Sequence, residues 1–188
     1  QEPCVSNAQQ LNGKELSYNN IIDLNAALEL VKEFERPSAI VIKHTNPCGA
    51  ASANTLAEAF KKAYYGDPIS AFGCILGLNK TVDVATAEAI TEPGHFVEAI
   101  IAPEFEQQAI EILTTKRKWG SSLRLLKTGA LSANAVDACA YDMKRVVGGM
   151  LLQGRDLSVY DTASLKVVTK KKPSEKEMSD LRFAFIVC

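Results

Sequence analysis

A basic pair of side chains stands in the segment Lys43-His44-Thr45-Asn46-Pro47-Cys48-Gly49. The segment follows an apolar run at 39–42 and precedes a helix that the capping box of Thr55 and Glu58 predicts. We therefore expect residues 43–51 to form a turn between a buried strand and a helix. Ligands of open α/β sheets bind beyond the carboxyl ends of strands, and free N–H groups at a helix start attract anions.

This pair suits acid–base and electrostatic catalysis on a small polar substrate. His44 could accept a proton, and Lys43 could stabilise developing negative charge. Cys48 is a weaker candidate for a nucleophile, because no partner arrangement can be read from the spacing. A histidine between a strand and a loop is also often a hydrogen-bonded structural residue, so at this point both interpretations of His44 stay open.

Several well-known site motifs are absent from the sequence. Zinc-dependent nucleoside deaminases need His-x-Glu followed by Pro-Cys-x-x-Cys. Here Asn46 stands two residues after His44, and Cys48 precedes Gly-Ala-Ala, so we predict no metal site. Phosphate-binding P-loop, dinucleotide-binding and serine nucleophile motifs are not present either.

The composition is that of a globular protein. The 188 residues are 47% apolar and 23% charged, which fits one domain or one and a half. A net charge of −1 argues against a nucleic-acid partner. No apolar run is long enough to span a membrane, and no signal peptide is seen, so we expect no membrane partner. The five scattered cysteines lack a Cys-x-x-Cys pair and indicate a reduced, cytoplasmic setting.

Alternating strand and helix patterns predict an α/β fold with a mixed sheet. Apolar runs predict strands at 39–42, 74–78, 97–102 and 123–126, and a hairpin at 141–153. Apolar residues at the helical period predict helices at 24–34, capped by Asp23, at 55–65, at 84–90, capped by Asp83, and at 105–113. A last helix is capped by Ser174, with Met178, Leu181, Ala184 and Phe185 facing inward. We expect the basic run 166–172 before it to be a solvated connector.

Five segments, in order, resemble one enzyme family. They are Gly-Lys-Glu-Leu-Ser-Tyr-Asn-Asn (13–20), Val-Ile-Lys-His-Thr-Asn-Pro-Cys-Gly (41–49), Asp-Pro-Ile-Ser-Ala-Phe-Gly (67–73), Val-Glu-Ala-Ile-Ile-Ala-Pro (97–103) and Val-Val-Thr (167–169). Together they resemble the 5-aminoimidazole-4-carboxamide ribonucleotide (AICAR) formyltransferase domain of the bifunctional purine biosynthesis (PurH) family. Five ordered matches are far more specific than any one of them.

The resemblance implies a fold and a reaction. The fold would be a three-layer α/β unit related to cytidine deaminase, of which residues 1–188 would form the N-terminal member of two. The reaction would transfer a formyl group from the cosubstrate 10-formyltetrahydrofolate to AICAR, in the biosynthesis of inosine monophosphate (IMP). The full-length protein would be a homodimer with shared sites, and it would also be an IMP cyclohydrolase.

The resemblance also implies roles for individual residues. His44 would be the general base and Lys43 would stabilise the transition state. Gly73 and Glu98 would contact the nucleotide, and Asn46 is a further expected substrate contact. Judged from the sequence alone, Glu98 is more simply an exposed carboxylate at a strand start.

Parts of the family pattern are missing from this chain. These are a segment that contacts the substrate phosphate, later segments that contact nucleotide and folate, and the cyclohydrolase domain. We therefore expect a chain truncated at both ends that is inactive in isolation. Two alternatives remain: a deaminase-like hydrolase, which metal analysis would reveal by about one zinc per chain, and a non-catalytic binding or oligomerisation module, which ligand titration would test.

Overall fold

The computed structural model describes residues 2–131, 141–156 and 164–188. The chain forms two compact units, one of residues 3–134 and one of residues 135–188 together with Glu2. The strands of the first unit are β1 (Gln9–Asn12), β2 (Ser38–Lys43), β3 (Asn46–Ser52), β4 (Cys74–Leu78), β5 (Val97–Ala102) and β6 (Arg124–Lys127). Its helices are α1 (Tyr18–Lys32), α2 (Leu56–Tyr64), α3 (Pro68–Ala71), α4 (Val84–Ile90) and α5 (Gln107–Thr115).

The six strands form one mixed sheet in the order β1-β6-β5-β4-β2-β3. Strands β4, β5 and β6 are parallel to one another, whereas β2 runs antiparallel to both β4 and β3. One apolar core contains side chains of α2, α4 and α5, and a second core contains those of α1. The sheet therefore lies between two helical layers, which confirms the predicted three-layer α/β class with a mixed sheet.

The central strands are buried along their length, as their continuous apolar runs predict. Every residue of β4 is buried, and so are the first five of β2 and all but Glu98 of β5. A strand covered by helices on both faces needs apolar side chains at every position rather than at alternate positions. These three strands are therefore the part of the fold that the sequence predicts best.

Helix α1 begins earlier than the sequence predicts. Ser17 is its N-cap, accepting a hydrogen bond from the N–H of Asn20, and Asp23 is the sixth residue of the helix. The prediction that Asp23 caps this helix is therefore wrong. Four residues of the predicted apolar face are fully buried, namely Leu24, Ala27, Leu28 and Val31, whereas its fifth, Phe34, lies beyond the end of the helix and is half-buried.

The segment 43–51 is not one long turn. Residues 46–52 form β3, which pairs antiparallel with β2 from Lys43 opposite Asn46 to Ser38 opposite Ser52. Because β3 runs back along the sheet, α2 begins at the opposite end of β2 from Lys43. The expectation that the N–H groups at the start of α2 assist this turn is therefore wrong.

Helices α2 and α4 begin at their predicted caps, whereas α5 has no side-chain cap. Thr55 accepts a hydrogen bond from the N–H of Glu58 at the start of α2, and Asp83 accepts one from Thr86 at the start of α4. Helix α5 begins two residues after Phe105, which is itself buried. Hydroxyl and carboxylate caps satisfy N–H groups that have no partner within the helix, which explains why α2 and α4 begin where they do.

The second unit contains the predicted hairpin and the last helix. The hairpin consists of β7 (Tyr141–Val146) and β8 (Gly149–Gly154), and α6 (Glu175–Val187) starts at the capping box of Ser174. Within the described residues, Leu181 is 58% and Phe185 is 65% exposed. The predicted inward face of α6 is therefore exposed, since Ala184 is exposed and Met178 only half-buried.

No helix among the described residues has the length and apolar character needed to cross a membrane.

Gly77 allows α1 to lie directly against β4. A Cβ atom at this position would be 2.5 Å from the carbonyl oxygen of Ala27. We predict that Gly77→Ala lowers the free energy of unfolding by about 2–3 kcal/mol, because helix and strand must move apart. Urea unfolding followed by circular dichroism measures this change.

A second glycine provides the matched control. Gly94 has a φ of +90° and open space where a Cβ would lie, so Gly94→Ala costs only backbone strain, about 1 kcal/mol. Equal losses in the two variants would show that close packing at Gly77 does not limit stability.

Candidate functional site

His44 and Thr45 form a two-residue turn between β2 and β3. Their φ angles are +55° and +64°, and the flanking residues Lys43 and Asn46 are paired. Positive φ at both central positions is the pattern of a type I′ hairpin turn, which Asn-Gly usually supplies. For residues with side chains this conformation costs roughly 1–2 kcal/mol each. The turn presents an exposed imidazole at the end of the sheet.

Three hydrogen bonds hold this turn. The backbone N–H of Thr45 donates to Oδ1 of Asp23 at 2.7 Å. The carbonyl oxygen of His44 accepts from Oγ1 of Thr45 at 2.7 Å and from Nδ2 of Asn46 at 2.9 Å. The side-chain nitrogen of Asn46 thus stabilises the turn. The expected contact between Asn46 and a substrate stays a prediction.

Lys43 connects the turn to the second predicted motif, residues 67–73. Its Nζ donates to the carbonyl oxygen of Phe72 at 2.6 Å. The pairing of Ile42 with Ile75 brings the end of β2 beside the start of β4, which explains why these residues meet. An ammonium has three N–H groups, so this bond leaves two for a ligand.

Gly73 and Glu98 lie together at the same end of the sheet. Gly73 has a φ of +76°, and its N–H donates to the carbonyl oxygen of Phe96 at 2.8 Å. A Cβ atom on Gly73 would lie 4.0 Å from Oε1 of Glu98 and 3.5 Å from the ring of Phe96. Glu98 is half-buried rather than freely exposed. The absence of a side chain at Gly73 thus leaves space beside a carboxylate.

The structure therefore brings the five predicted site residues to one end of the sheet, which is the carboxyl end of β2. Because β2 is antiparallel to β4, the carboxyl end of β2 lies beside the amino ends of β4 and β5. The rule that ligands bind at the carboxyl ends of parallel strands does not describe this site. The position of the site follows from the direction of one strand.

Two cysteines near the site are poorly suited to nucleophilic chemistry. Sγ of Cys48 lies 3.5 Å from the carbonyl oxygen of Val41, and burial raises the pKa of its thiol. Burial also raises the pKa of Cys74, at the start of β4. Because the thiolate is the reactive form, these shifts favour a packing role for Cys48 over a nucleophilic one.

The second histidine has a structural environment. His95 is 7% exposed, and its ring centroid lies 4.1 Å from that of Tyr64. Its Nδ1 donates to the carbonyl oxygen of Ala89 at 3.1 Å, and its Nε2 lies 3.3 Å from the hydroxyl of Tyr65. Of the two histidines, only His44 is therefore exposed at the surface.

Each unit also has a surface cavity or groove of its own. One cavity is formed by α2, α4 and the segment after α5, and a groove of the second unit is lined by residues 165–185. In the parts of the chain that the structure describes, no three His, Cys, Asp or Glu side chains group closely enough to hold a metal ion.

Comparison with known proteins identifies the family. The family model described as AICARFT/IMPCHase bienzyme matches residues 1–188. The chain belongs to this family. It is 50% identical over 183 residues to the "Bifunctional purine biosynthesis protein PurH" of Thermoanaerobacter sp. and 51% identical over 188 residues to that of Magnetococcus marinus. The protein of the same name in Acetivibrio thermocellus is 47% identical over 184 residues.

These relatives are longer than the chain. The matches cover 97%, 100% and 98% of this chain but 34% of each relative. The chain thus spans about a third of the length of the bifunctional purine biosynthesis proteins that it resembles.

The pKa shifts predict how fast each cysteine is alkylated. A hydrogen bond from the Ser6 hydroxyl lowers the pKa of Cys4, whereas burial raises those of Cys48 and Cys74. Near neutral pH we expect iodoacetamide to modify Cys4 at least ~10-fold faster than Cys48, because more of Cys4 is thiolate. As the pH is raised, the alkylation rate of Cys48 should increase at higher pH values than the alkylation rate of Cys4. Peptide mass spectrometry follows each residue separately.

Unfolding the protein in guanidinium chloride provides the control, since the rates of these cysteines should then converge. If Cys48 in the folded protein reacted as fast as Cys4, its assignment as an inert packing residue would be wrong.

Proposed function

We propose that this chain carries the catalytic pair of a folate-dependent formyltransferase that acts on AICAR. The observation that carries the proposal is the hydrogen bond from Lys43 to the carbonyl oxygen of Phe72. Through it, the Lys-His turn lies beside the turn that ends at Gly73, and hence near Glu98. Family membership supports a role in purine biosynthesis, and this arrangement supports formyl transfer as the step.

His44 acts as the general base in this proposal. The amine of AICAR is a weak nucleophile because its lone pair is delocalised into the ring, which carries a carboxamide. As nitrogen attacks the formyl carbon, the N–C bond forms and the amine loses a proton, which the imidazole of His44 accepts. The bond from the formyl carbon to N10 of the folate then breaks, and that nitrogen leaves with a proton. The products are the formamido nucleotide and tetrahydrofolate.

Lys43 stabilises the negative charge that develops on the formyl oxygen. Its ammonium is already oriented by the carbonyl of Phe72, so little rearrangement is needed when the charge appears. Gly73 lets the nucleotide approach the backbone closely, and Glu98 accepts hydrogen bonds from its N–H or hydroxyl groups. Asn46 is a further substrate contact in this proposal.

The whole protein extends the proposal beyond this chain. We infer that the full-length protein is a homodimer, that it also closes the purine ring as an IMP cyclohydrolase, and that residues 1–188 contribute the N-terminal part of the formyltransferase domain. Because the chain spans about a third of its relatives, we expect no turnover from the isolated chain. Sedimentation and both activity assays on the full-length protein test these statements.

Substitution of His44 tests the assignment of the base. Asparagine tolerates positive φ better than most residues, so His44→Asn removes the imidazole while keeping the turn. In the full-length protein we expect kcat for formyl transfer to fall roughly 10²–10⁴-fold, with an unchanged unfolding midpoint. His44→Ala should lose activity to a similar degree. Activity near that of the unsubstituted protein in both variants would exclude His44 as the base.

Substitution of Lys43 tests the electrostatic role. We expect Lys43→Met in the full-length protein to lower kcat by about 10²–10³-fold, as loss of a group that stabilises an oxyanion does. Lys80→Met is the matched control, because Lys80 is exposed and lies beyond the carboxyl end of β4, at the other end of the sheet. Equal effects of the two changes on kcat would contradict a specific role for Lys43.

A further inference from the structure

Asp23 makes a contact that its position in α1 does not require. Ser17 already caps the helix, so the carboxylate of Asp23 serves no helix end. Instead, its Oδ1 accepts a hydrogen bond at 2.7 Å from the backbone N–H of Thr45, which is 22 residues away in sequence. A short bond to a charged acceptor is among the stronger hydrogen bonds in proteins. Asp23 therefore joins α1 to the turn that carries His44.

The bond acts on the peptide group between His44 and Thr45. This planar group contains the carbonyl of His44 and the N–H of Thr45. The carbonyl accepts from the side chains of Thr45 and Asn46, both part of the hairpin itself. The N–H donates to Asp23, which belongs to another element. The plane is thus held at both ends, and the contact with Asp23 fixes it relative to the rest of the fold.

Helix α1 is a rigid support for this contact. Leu24, the neighbour of Asp23, is fully buried, as are Ala27 and Leu28 on the same helix. Their core lies against β2, β4 and β5, and the carbonyl of Ala27 is in close contact with Gly77 of β4. A carboxylate carried by this helix therefore has a fixed position relative to the sheet, as precise placement of a site requires.

We propose that Asp23 is a positioning residue for the imidazole of His44. The inference rests on the proposed function. Rotation of the peptide plane changes the ψ angle of His44 and hence the relation of its side chain to the sheet. Both turn residues have positive φ, a conformation that persists only where surrounding contacts determine it. Without Asp23 the plane is free to rotate, and the base loses its fixed direction toward the substrate.

Steady-state kinetics of the full-length protein test the proposal. Displacement of a catalytic group by about 1 Å can cost on the order of 10²-fold in rate. We expect Asp23→Ala to lower kcat about 10²-fold, with KM for both substrates changed less than ~3-fold. Asp23→Asn keeps an oxygen that can accept from Thr45, so it should retain more activity than Asp23→Ala. The control is Asn25→Ala, an exposed position on the same helix, which should match the unsubstituted protein.

A coupled substitution separates positioning from simple loss of stability. Glycine adopts positive φ without steric cost. In Thr45→Gly, the positive φ at position 45 therefore depends less on the hydrogen bond to Asp23. In the Thr45→Gly background, we expect Asp23→Ala to cost less in kcat than it does alone, by a factor of about 3 or more. Equal losses in both backgrounds, or equal kcat for Asp23→Ala and Asn25→Ala, would overturn the proposal.

Hydrogen exchange of the Thr45 amide provides a measurement that does not need activity. We expect this amide to be protected in the unsubstituted full-length protein and to exchange at least ~10-fold faster in Asp23→Ala, but not in Asn25→Ala. Mass spectrometry with electron-transfer fragmentation resolves the position. An unprotected Thr45 amide would refute the contact with Asp23, whereas survival of activity in His44→Asn would refute the proposed function instead.

Discussion

The antiparallel pairing of β2 with β4 is the constraint on which the site depends. β4, β5 and β6 are parallel, and a β2 parallel to them would place Lys43 at their carboxyl ends. Its reversed direction places the end of β2 beside the starts of β4 and β5, where Gly73 and Glu98 lie. The hydrogen bond from Lys43 to Phe72 can form only in this arrangement. One strand direction thus assembles residues from three separate parts of the sequence.

Much of the fold could be predicted because its signals are local. Strands β2, β4 and β5 contain continuous apolar runs. The caps Thr55, Asp83 and Ser174 mark the starts of three helices. Strand β3 carries no such signal, because it is an edge strand of small residues that includes a proline. Its composition has a tertiary cause, since a Cβ atom at Gly49 would overlap the carbonyl oxygen of Ala63 in α2.

The candidate site was only partly accessible from the sequence. The chemical character of Lys43 and His44 is visible in their residue types, but the proximity of Gly73 and Glu98 comes from resemblance to a family and from the sheet. The sequence predicts Asp23 as a helix cap, because a carboxylate before an apolar stripe is often a cap. Its actual partner is the backbone N–H of Thr45. Almost every residue type has a backbone N–H, so no sequence pattern predicts this contact.

The turn itself breaks a local rule at the place where chemistry is proposed. Two-residue hairpins of this type favour asparagine and glycine, and a β-branched residue at positive φ is unfavourable. A sequence free to optimise stability would not place His44 and Thr45 there. Local conflicts of this kind are expected mainly where function demands a particular side chain. At this turn the side chain that the proposed function requires is the imidazole, and the hydrogen bond from Thr45 to Asp23 of α1 offsets part of the conformational cost. The same hydrogen bonds that make the turn possible therefore also restrict the direction in which its histidine points.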